Sequence, residues 1–332
     1  MPRKDFPSLR LSDIAAAAGV GESTVSRVLR GNGSVSEETR SRVREVAASL
    51  GYVPNRIAGT LASAGSRVVG IVVPSLTNIV FPDLLRGAAG RLEEANHQAV
   101  IGVSDYDTAR EASLISSILA WRPAAILITG LEHDPSVLSM LKATRTRVVE
   151  MLDVDGEGID IVIGYSNHAA GSASADHLVR RGYRRIGYVG HDINRDLRAR
   201  KRIEGFEAAL ARHGLSLAGR EITLAPSSVQ AGRDGLERIL ARRPDLDAVY
   251  FSNDDMATGG YFHCLARGIA VPGQLALFGF NGLDVGQIAP QPLATISTPR
   301  VHIGEEAARL ALSEEPAQKI NVGFTLIEGA TA

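Results

Sequence analysis

Two rhythms divide the chain. Up to about residue 62, apolar positions recur at helical spacing in short segments broken by polar residues and glycines. From Arg67 onward, compact β-branched runs alternate with helical stretches. In the first region, Ser12 is expected to cap a helix that runs through the alanines to Ala18, where Gly19 stops it. A second helix is predicted over Glu22 to Leu29, ahead of the Gly31-Asn32-Gly33 break. A third begins behind Ser36 as cap, with Thr39 in place of the usual capping-box acid, and Gly51 closes it. Its apolar positions Val43, Val46, Ala47 and Leu50 share one face. Tyr52-Val53-Pro54-Asn55 breaks the pattern, and a short helical stretch, Arg56 to Ala62, leads into the small-residue linker Ser63-Ala64-Gly65-Ser66.

In the second region the predicted strands are Val68–Val73, Ala99–Val103, Ala125–Ile128, Val148–Met151, Ile161–Gly164, Arg185–Val189, Ala248–Phe251 and Leu275–Gly279. Predicted helices include Phe81–Asn96, Arg110–Trp121 and Pro135–Ala143. Such alternation implies parallel sheets covered by helices on both faces. So many strands exceed one sheet, which predicts two similar α/β lobes. The fold class is therefore a small all-α head plus an α/β core of two doubly wound parallel-sheet lobes.

Composition changes this picture in one respect. The 332 residues carry a formal charge of −1, which alone would speak against a nucleic-acid binder. By segment, residues 1–64 carry +3 and the rest −4, a basic head on an acidic body. The single cysteine, Cys264, excludes an internal disulfide framework and a Cys-based zinc finger. No apolar run reaches the roughly 18 residues of a membrane helix, and the first residues lack a signal-peptide core. A cytoplasmic protein without membrane attachment, metal or cofactor is expected.

Leu11 to Arg30 has the makings of a helix-turn-helix: Ala15 is small where two helices would touch, Gly19 tolerates the turn, and Val25 packs back. The strings Leu11-Ser12-Asp13-Ile14-Ala15, Gly19-Val20, Thr24-Val25-Ser26-Arg27-Val28-Leu29, Val35-Ser36, Gly51-Tyr52-Val53-Pro54-Asn55 and Ala58-x-x-Leu61 resemble the lac repressor family of bacterial regulators. One departure is Gly21, where that family usually has a Ser or Thr cap. The N-terminal residues of the second helix enter the major groove in such units. The resemblance therefore implies base-facing roles for Glu22, Ser23 and Arg27, and DNA contacts for Leu11, Ser12, Thr24, Ser26, Ser36, Tyr52, Asn55 and Arg56. It also implies a hinge helix over residues 56–62 that folds on operator DNA. There Leu61 would wedge into the minor groove and the small Ala58 would let the backbone approach. Seven residues with Gly59 among them are too few for a helix stable alone.

The body resembles the sugar-sensing core of the same family, shared with periplasmic sugar-binding proteins. Gly70-Ile71-Val72-Val73-Pro74, Arg202-x-x-Gly205-Phe206, Asn253-Asp254-x-Met256-Ala257-x-Gly259, Gly279-Phe280 and Pro292-Leu293-Ala294-Thr295-Ile296 carry that likeness. It implies effector contacts at Asn78, Phe81, Asp153, Arg202, Asp254 and Arg300. Pro74-Ser75-Leu76-Thr77-Asn78, Asp284-x-Gly286-Gln287, Thr298-Pro299-Arg300 and Gly323-Phe324-Thr325-Leu326 are similar to the gluconate-utilisation repressors of that family. A sugar acid needs a guanidinium, and Arg195, Arg198, Arg202 and Arg300 are available. The expected organisation is a DNA-binding domain at 1–54, a hinge and linker at 55–66, and an effector core at 67–332. In the core the first lobe would comprise 67–165 and 296–323, and the second 166–294 and 324–332.

The implied function is a homodimeric repressor of a carbohydrate operon. It would bind near-palindromic operator DNA and release it when gluconate, a related sugar acid or a sugar enters the cleft. A regulator that uses its ligand as co-repressor, a sugar-binding transport protein and an enzyme are the alternatives. A dehydrogenase is disfavoured because Pro74-Ser75-Leu76, not a glycine fingerprint, follows the first strand.

Overall fold

The computed structural model describes residues 9–30, 34–52 and 66–332, which fall into two compact units divided after Ser66. The head unit contains α1 (Leu11–Ala18), α2 (Glu22–Arg30) and α3 (Glu37–Ser49). Ile14, Ala15, Ala18, Val25, Val28, Val43 and Ala47 form its buried centre, with Leu11, Val20, Leu29, Val46 and Tyr52 packed around them. Gly19 ends α1 in the left-handed conformation (φ 65°), a geometry glycine adopts without steric penalty. The expectation for Ser12 is corrected: α1 starts two residues earlier, at Leu11. Arg10 is its N-cap, and the Asp13 carboxylate accepts from the Arg10 N–H at 2.7 Å. Ser36 does cap α3, accepting from the Thr39 N–H at 3.3 Å and donating to the Thr39 hydroxyl at 2.9 Å.

The second unit opens with β1 (Val68–Val73), α4 (Val80–Glu94), β2 (Gln98–Val103), α5 (Thr108–Leu119), β3 (Ala125–Thr129), α6 (Pro135–Ala143), β4 (Arg147–Met151) and β5 (Ile161–Gly164). It continues with α7 (Asn167–Arg180), β6 (Ile186–Gly190), α8 (Leu197–Arg212), β7 (Gly219–Ile222), α9 (Val229–Arg242), β8 (Ala248–Phe251), α10 (Asp254–Arg267) and β9 (Ala276–Phe278). The last elements are α11 (Asp284–Gln287), β10 (Thr295–Ser297), α12 (Arg300–Ala311), β11 (Gln318–Asn321) and β12 (Thr325–Ile327). One sheet runs β11-β5-β4-β3-β1-β2 and the other β7-β6-β8-β9, both parallel throughout. Central strands are buried on both faces and read as continuous apolar runs. The edges β7 and β11 alternate with charged or amide residues. That polarity keeps sheet edges from pairing with other chains, and it hid both strands from hydropathy.

The chain passes between lobes three times: between β5 and α7, through β10 toward α12, and from β11 to β12. β10 and β12 pair antiparallel at this crossing, Ile296 opposite Leu326. In each sheet the strand order reverses direction beside the first strand, between β1 and β3 in one lobe and between β6 and β8 in the other. Such switch points open a crevice at the carboxyl ends of the strands.

Three helix pairs hold the layers against the sheets through reciprocal glycines. A Cβ at Gly171 of α7 would meet the Arg202 carbonyl oxygen at 1.8 Å, and one at Gly205 of α8 that of His168 at 2.0 Å. Gly87 and Gly304 do the same between α4 and α12, and Gly232 and Gly259 between α9 and α10. Backbone carbonyls cannot withdraw as a flexible side chain can. Gly205→Ala and Gly304→Ala should therefore each destabilise by about 1–3 kcal/mol through overpacking. Differential scanning calorimetry would read this as a lowered Tm, whereas Gly214→Ala, with open space around its Cβ, would report only the strain of its positive φ.

Candidate DNA-reading helix and inter-lobe cleft

In the head, burial of Val25 and Val28 turns the opposite face of α2 outward. Glu22, Ser23 and Arg27 are exposed there, with Ser26 half-buried beside them. Thr24 and Tyr52 are half-buried at the edges, Ser12 is exposed, and Leu11 packs on the head core. Ser36 spends its hydroxyl proton inside the α3 cap, which removes that proton from phosphate contact. Asn55, Arg56, Ala58 and Leu61 lie outside the described residues. The outward stripe has the dimensions of a groove reader: short polar residues in the first turn, then one long guanidinium a turn later.

In the core, the crevice opens where β1, β2 and β3 face the start of α8. Its lining includes Ser104, Tyr106, Thr129, Glu132, Arg195 and Arg198. Asp105 and Tyr106, which follow β2, both adopt left-handed backbone (φ 53° and 56°), a conformation that costs free energy for residues with a Cβ. Arg195, from the second lobe, donates to both of their carbonyls, at 2.9 and 3.4 Å. Phe81 forms an apolar wall: it is buried, meets Tyr106 edge-on at 6.5 Å, and lies under the Arg198 guanidinium at 5.5 Å. Asn78 is half-buried, and its side-chain oxygen accepts from the Val80 N–H at 3.1 Å, which shapes the loop into α4.

Asp153 is fully buried and bound to Lys201 of α8 at 2.6 Å. Lys201 also reaches Glu132 at 2.5 Å and the Asp155 carbonyl at 2.9 Å, so one ammonium from the second lobe gathers three oxygens of the first. Burial lowers the Lys201 pKa, but its hydrogen bonds to Asp153 and Glu132 raise it further, and it stays charged. Arg202 donates to the Asn167 side chain at 2.9 Å and to the Ser252 carbonyl at 3.3 Å, and stacks on Phe280 at 4.2 Å. Its Nε has no partner among the described residues. Asn167 in turn donates to the Leu152 carbonyl across the crossing.

Two implied effector contacts have other work. Asp254 is fully buried, accepting from the Leu283 N–H and the Thr295 hydroxyl, each at 2.7 Å. Burial pushes its carboxyl up to about 6 although both hydrogen bonds oppose this. Through one hydrogen bond on each oxygen, Asp254 ties α10 to the loop after β9 and to β10. Arg300 is clamped by Asp83 at 3.0 Å and donates to the Asn281 carbonyl, joining the lobes. Sequence reasoning missed Lys201, Glu132, Tyr106, Tyr165 and Asp196. The Asp196 cap ahead of α8 was a usable signal; it accepts from the Ala199 N–H at 3.2 Å. Burial pushes the Asp196 carboxyl up, but Arg198 and the His191 hydrogen bond outweigh it and hold the group well below the usual carboxylate range.

Behind the crevice, His133 is enclosed between Glu111 at 2.8 Å and Glu150 at 3.4 Å. Burial lowers its pKa, but the two glutamates more than compensate and raise it to about 9. A histidine whose pKa is higher folded than unfolded stabilises fully below its unfolded value of about 6.5 and loses that contribution as pH rises through about 9. The Tm of the wild type should therefore fall between pH 7 and 10 more steeply than that of His133→Gln, as measured by thermal melts across that range. Lys201→Met, which strands the buried Asp153, should cost about 3 kcal/mol, read by urea titration.

Comparison with known proteins agrees on both units. Residues 10–55 match the family described as bacterial regulatory proteins, lacI family. Residues 66–323 match the periplasmic binding proteins and sugar binding domain of LacI family. The chain is 40% identical to the HTH-type transcriptional regulator GntR of Pseudomonas aeruginosa, over 96% of this chain and 94% of that one. It is 32% identical to the GntR regulator of Escherichia coli K12, over 97% and 98% respectively. The crystal structure of a LacI-family transcriptional regulator from Silicibacter pomeroyi superposes with a TM-score of 0.93 at 42% identity, covering 97% of this chain and 99% of that one.

Proposed function

Because the chain belongs to the LacI family of bacterial regulatory proteins, we propose that it is a homodimeric repressor of a carbohydrate-utilisation operon that leaves its operator when a sugar acid such as gluconate occupies the inter-lobe cleft. The observation that carries this reading is the combination, in one chain, of an outward polar stripe on α2 with a cleft lined by Arg195, the buried Arg198, Tyr106, Ser104, Thr129 and Glu132. The stripe suits base edges in a major groove. The cleft suits a small, hydroxylated anion held between lobes whose separation it would alter.

Dimerisation is supported by an apolar patch on the second lobe. Phe262 and Leu265 of α10 are 50% and 55% exposed, and Val285 and Ile288, on and beside α11, are 47% and 82% exposed. Phe262, Val285 and Ile288 border one shared hollow with Tyr261, Pro290 and Leu293. A patch of this kind marks a protein–protein surface, and two-fold pairing is what a near-palindromic operator requires. The reading assigns no catalysis, metal or cofactor to the chain, and it places the protein with DNA in the cytoplasm. Cys264 is buried and its thiol is pushed up to about 12 by burial, which leaves no thiolate for nucleophilic chemistry. Among the described residues, no helix is long and apolar enough to cross a membrane.

Selection from randomised duplex DNA should return a near-palindromic site, retarded by the protein in gel shifts and released by gluconate. Retention strengthened by gluconate would instead identify a co-repressor. Arg27→Ala should cost about 1–3 kcal/mol on the selected site, and far less on random DNA. Leu61→Ala should likewise weaken the selected site more than random DNA, as expected for a wedge that opens a base step. Equal losses on both DNAs would sink these assignments.

A further inference from the structure

We infer that the cleft is built for a single carboxylate and that this carboxylate docks on Arg198, in the first turn of α8. The inference rests on the sugar-acid reading above and assigns the residue that would recognise the acid group.

Arg198 is 9% exposed and lines the crevice. A guanidinium carries five N–H donors, yet Arg198 donates no hydrogen bond to any described residue. Its nearest carboxylate oxygen, Asp196 Oδ1, lies at 3.7 Å and already accepts from the Ala199 N–H. The Phe81 ring covers one face of the guanidinium and contributes no acceptor oxygen. The other cations around it are answered: Lys201 by Glu132 and Asp153, Arg300 by Asp83, and Arg195 by two carbonyl oxygens. Arg202 has only neutral partners, Asn167 and the Ser252 carbonyl. Asp196 is the one described carboxylate within 4 Å of either the Arg198 or the Arg202 guanidinium, and it also accepts from His191 at 3.1 Å. Within ion-pair distance the two guanidinium groups thus share one carboxylate, and the Arg198 donors meet no acceptor among the described residues. Buried donors without an acceptor are costly, and a carboxylate would supply the oxygens that the Arg198 fork lacks.

The guanidinium fork favours a carboxylate over a phosphate. Two planar oxygens match the guanidinium fork, whereas a phosphate dianion would bring a second charge that nothing nearby answers. Tyr106, which lines the crevice beside Phe81, is kept protonated by burial and donates no hydrogen bond to a described residue. Its hydroxyl is a donor that an oxyanion in the crevice could use. Ser104, Thr129 and Glu132 line the same crevice and suit the hydroxyls of the remaining chain. Arg300, the candidate by resemblance, is spent on Asp83 and the Asn281 carbonyl.

Isothermal titration of the full-length protein with gluconate, glucose and glucose 6-phosphate tests this. Gluconate should bind at least about 30-fold more tightly than either of the others. Arg198→Gln should lose about 30-fold or more for gluconate while glucose affinity changes by less than about threefold, collapsing the preference for the acid. Circular dichroism melts establish that the variant is folded; should it not fold, Arg198→Lys carries the test and should lose at least about fivefold for gluconate alone. Arg300→Gln should keep the preference. Folded Arg198 variants that retain the wild-type gluconate-to-glucose ratio overturn the docking assignment and leave the sugar-acid reading standing. A wild-type protein that prefers glucose or glucose 6-phosphate, or that takes no member of a panel of aldonates, overturns that reading and this assignment together.

Discussion

The arrangement of the sensing core depends on one helix start. Between residues 195 and 202, the beginning of α8 sends Arg195, Arg198 and Lys201 across to the first lobe, while Arg202 stays among groups of its own lobe and the crossing. The Arg195 guanidinium just ahead of α8 thereby holds a strained loop after β2, and Lys201 in the second turn of α8 holds a fully buried aspartate after β4. Because these partners belong to different lobes, any rotation of the lobes must break or exchange charge-assisted contacts in a low-dielectric setting, where they are strongest. Under the proposed function this would be the physical basis of a two-state element: packed glycine-linked helix pairs resist continuous deformation, and the ionic contacts would choose between discrete arrangements.

The same constraint explains the division of labour among charged residues in the cleft. Asp254 and Arg300 stabilise the architecture beside the crossing strands, where their hydrogen-bonding capacity is used by backbone and partner side chains. Lys201 and Asp153 hold the lobes together. Unlike Lys201 and Arg300, Arg198 lines the crevice with donors that no described residue takes up. An effector that neutralised it would change the electrostatic balance of the very helix that bridges the lobes. Sensing and closure would then be one event, and the coupling to DNA would be reciprocal by linkage.

Most of the fold was legible in one dimension. Helix and strand boundaries in the core fell within a few residues of the hydropathy pattern, because central parallel strands are apolar throughout and their covering helices are amphipathic. The edge strands β7 and β11 were not, since Gly219-Arg220-Glu221-Ile222 and Gln318-Lys319-Ile320-Asn321 carry polar residues that protect an edge. Nor were β10 and β12, three residues each, whose pairing brings together segments 30 positions apart. The α1 cap was displaced because Asp13 reaches back to the Arg10 N–H, an alternative that Ser12 at the same helix start conceals.

By itself, the sequence determined the two-part plan, the helix-turn-helix, the paired α/β lobes and the family, because these follow from periodicity and locally spaced motifs. It also determined that acids and arginines stand just after strand ends. Only the tertiary structure decided which of them are available. Whether Asp254, Arg300 or Arg198 keeps free hydrogen-bonding capacity depends on partners 29 to 217 residues away, namely Leu283, Thr295 and Asp83, or on the lack of such partners. Charge type is a property of a residue; a buried donor without an acceptor is a property of its surroundings, and no local pattern in the chain encodes it.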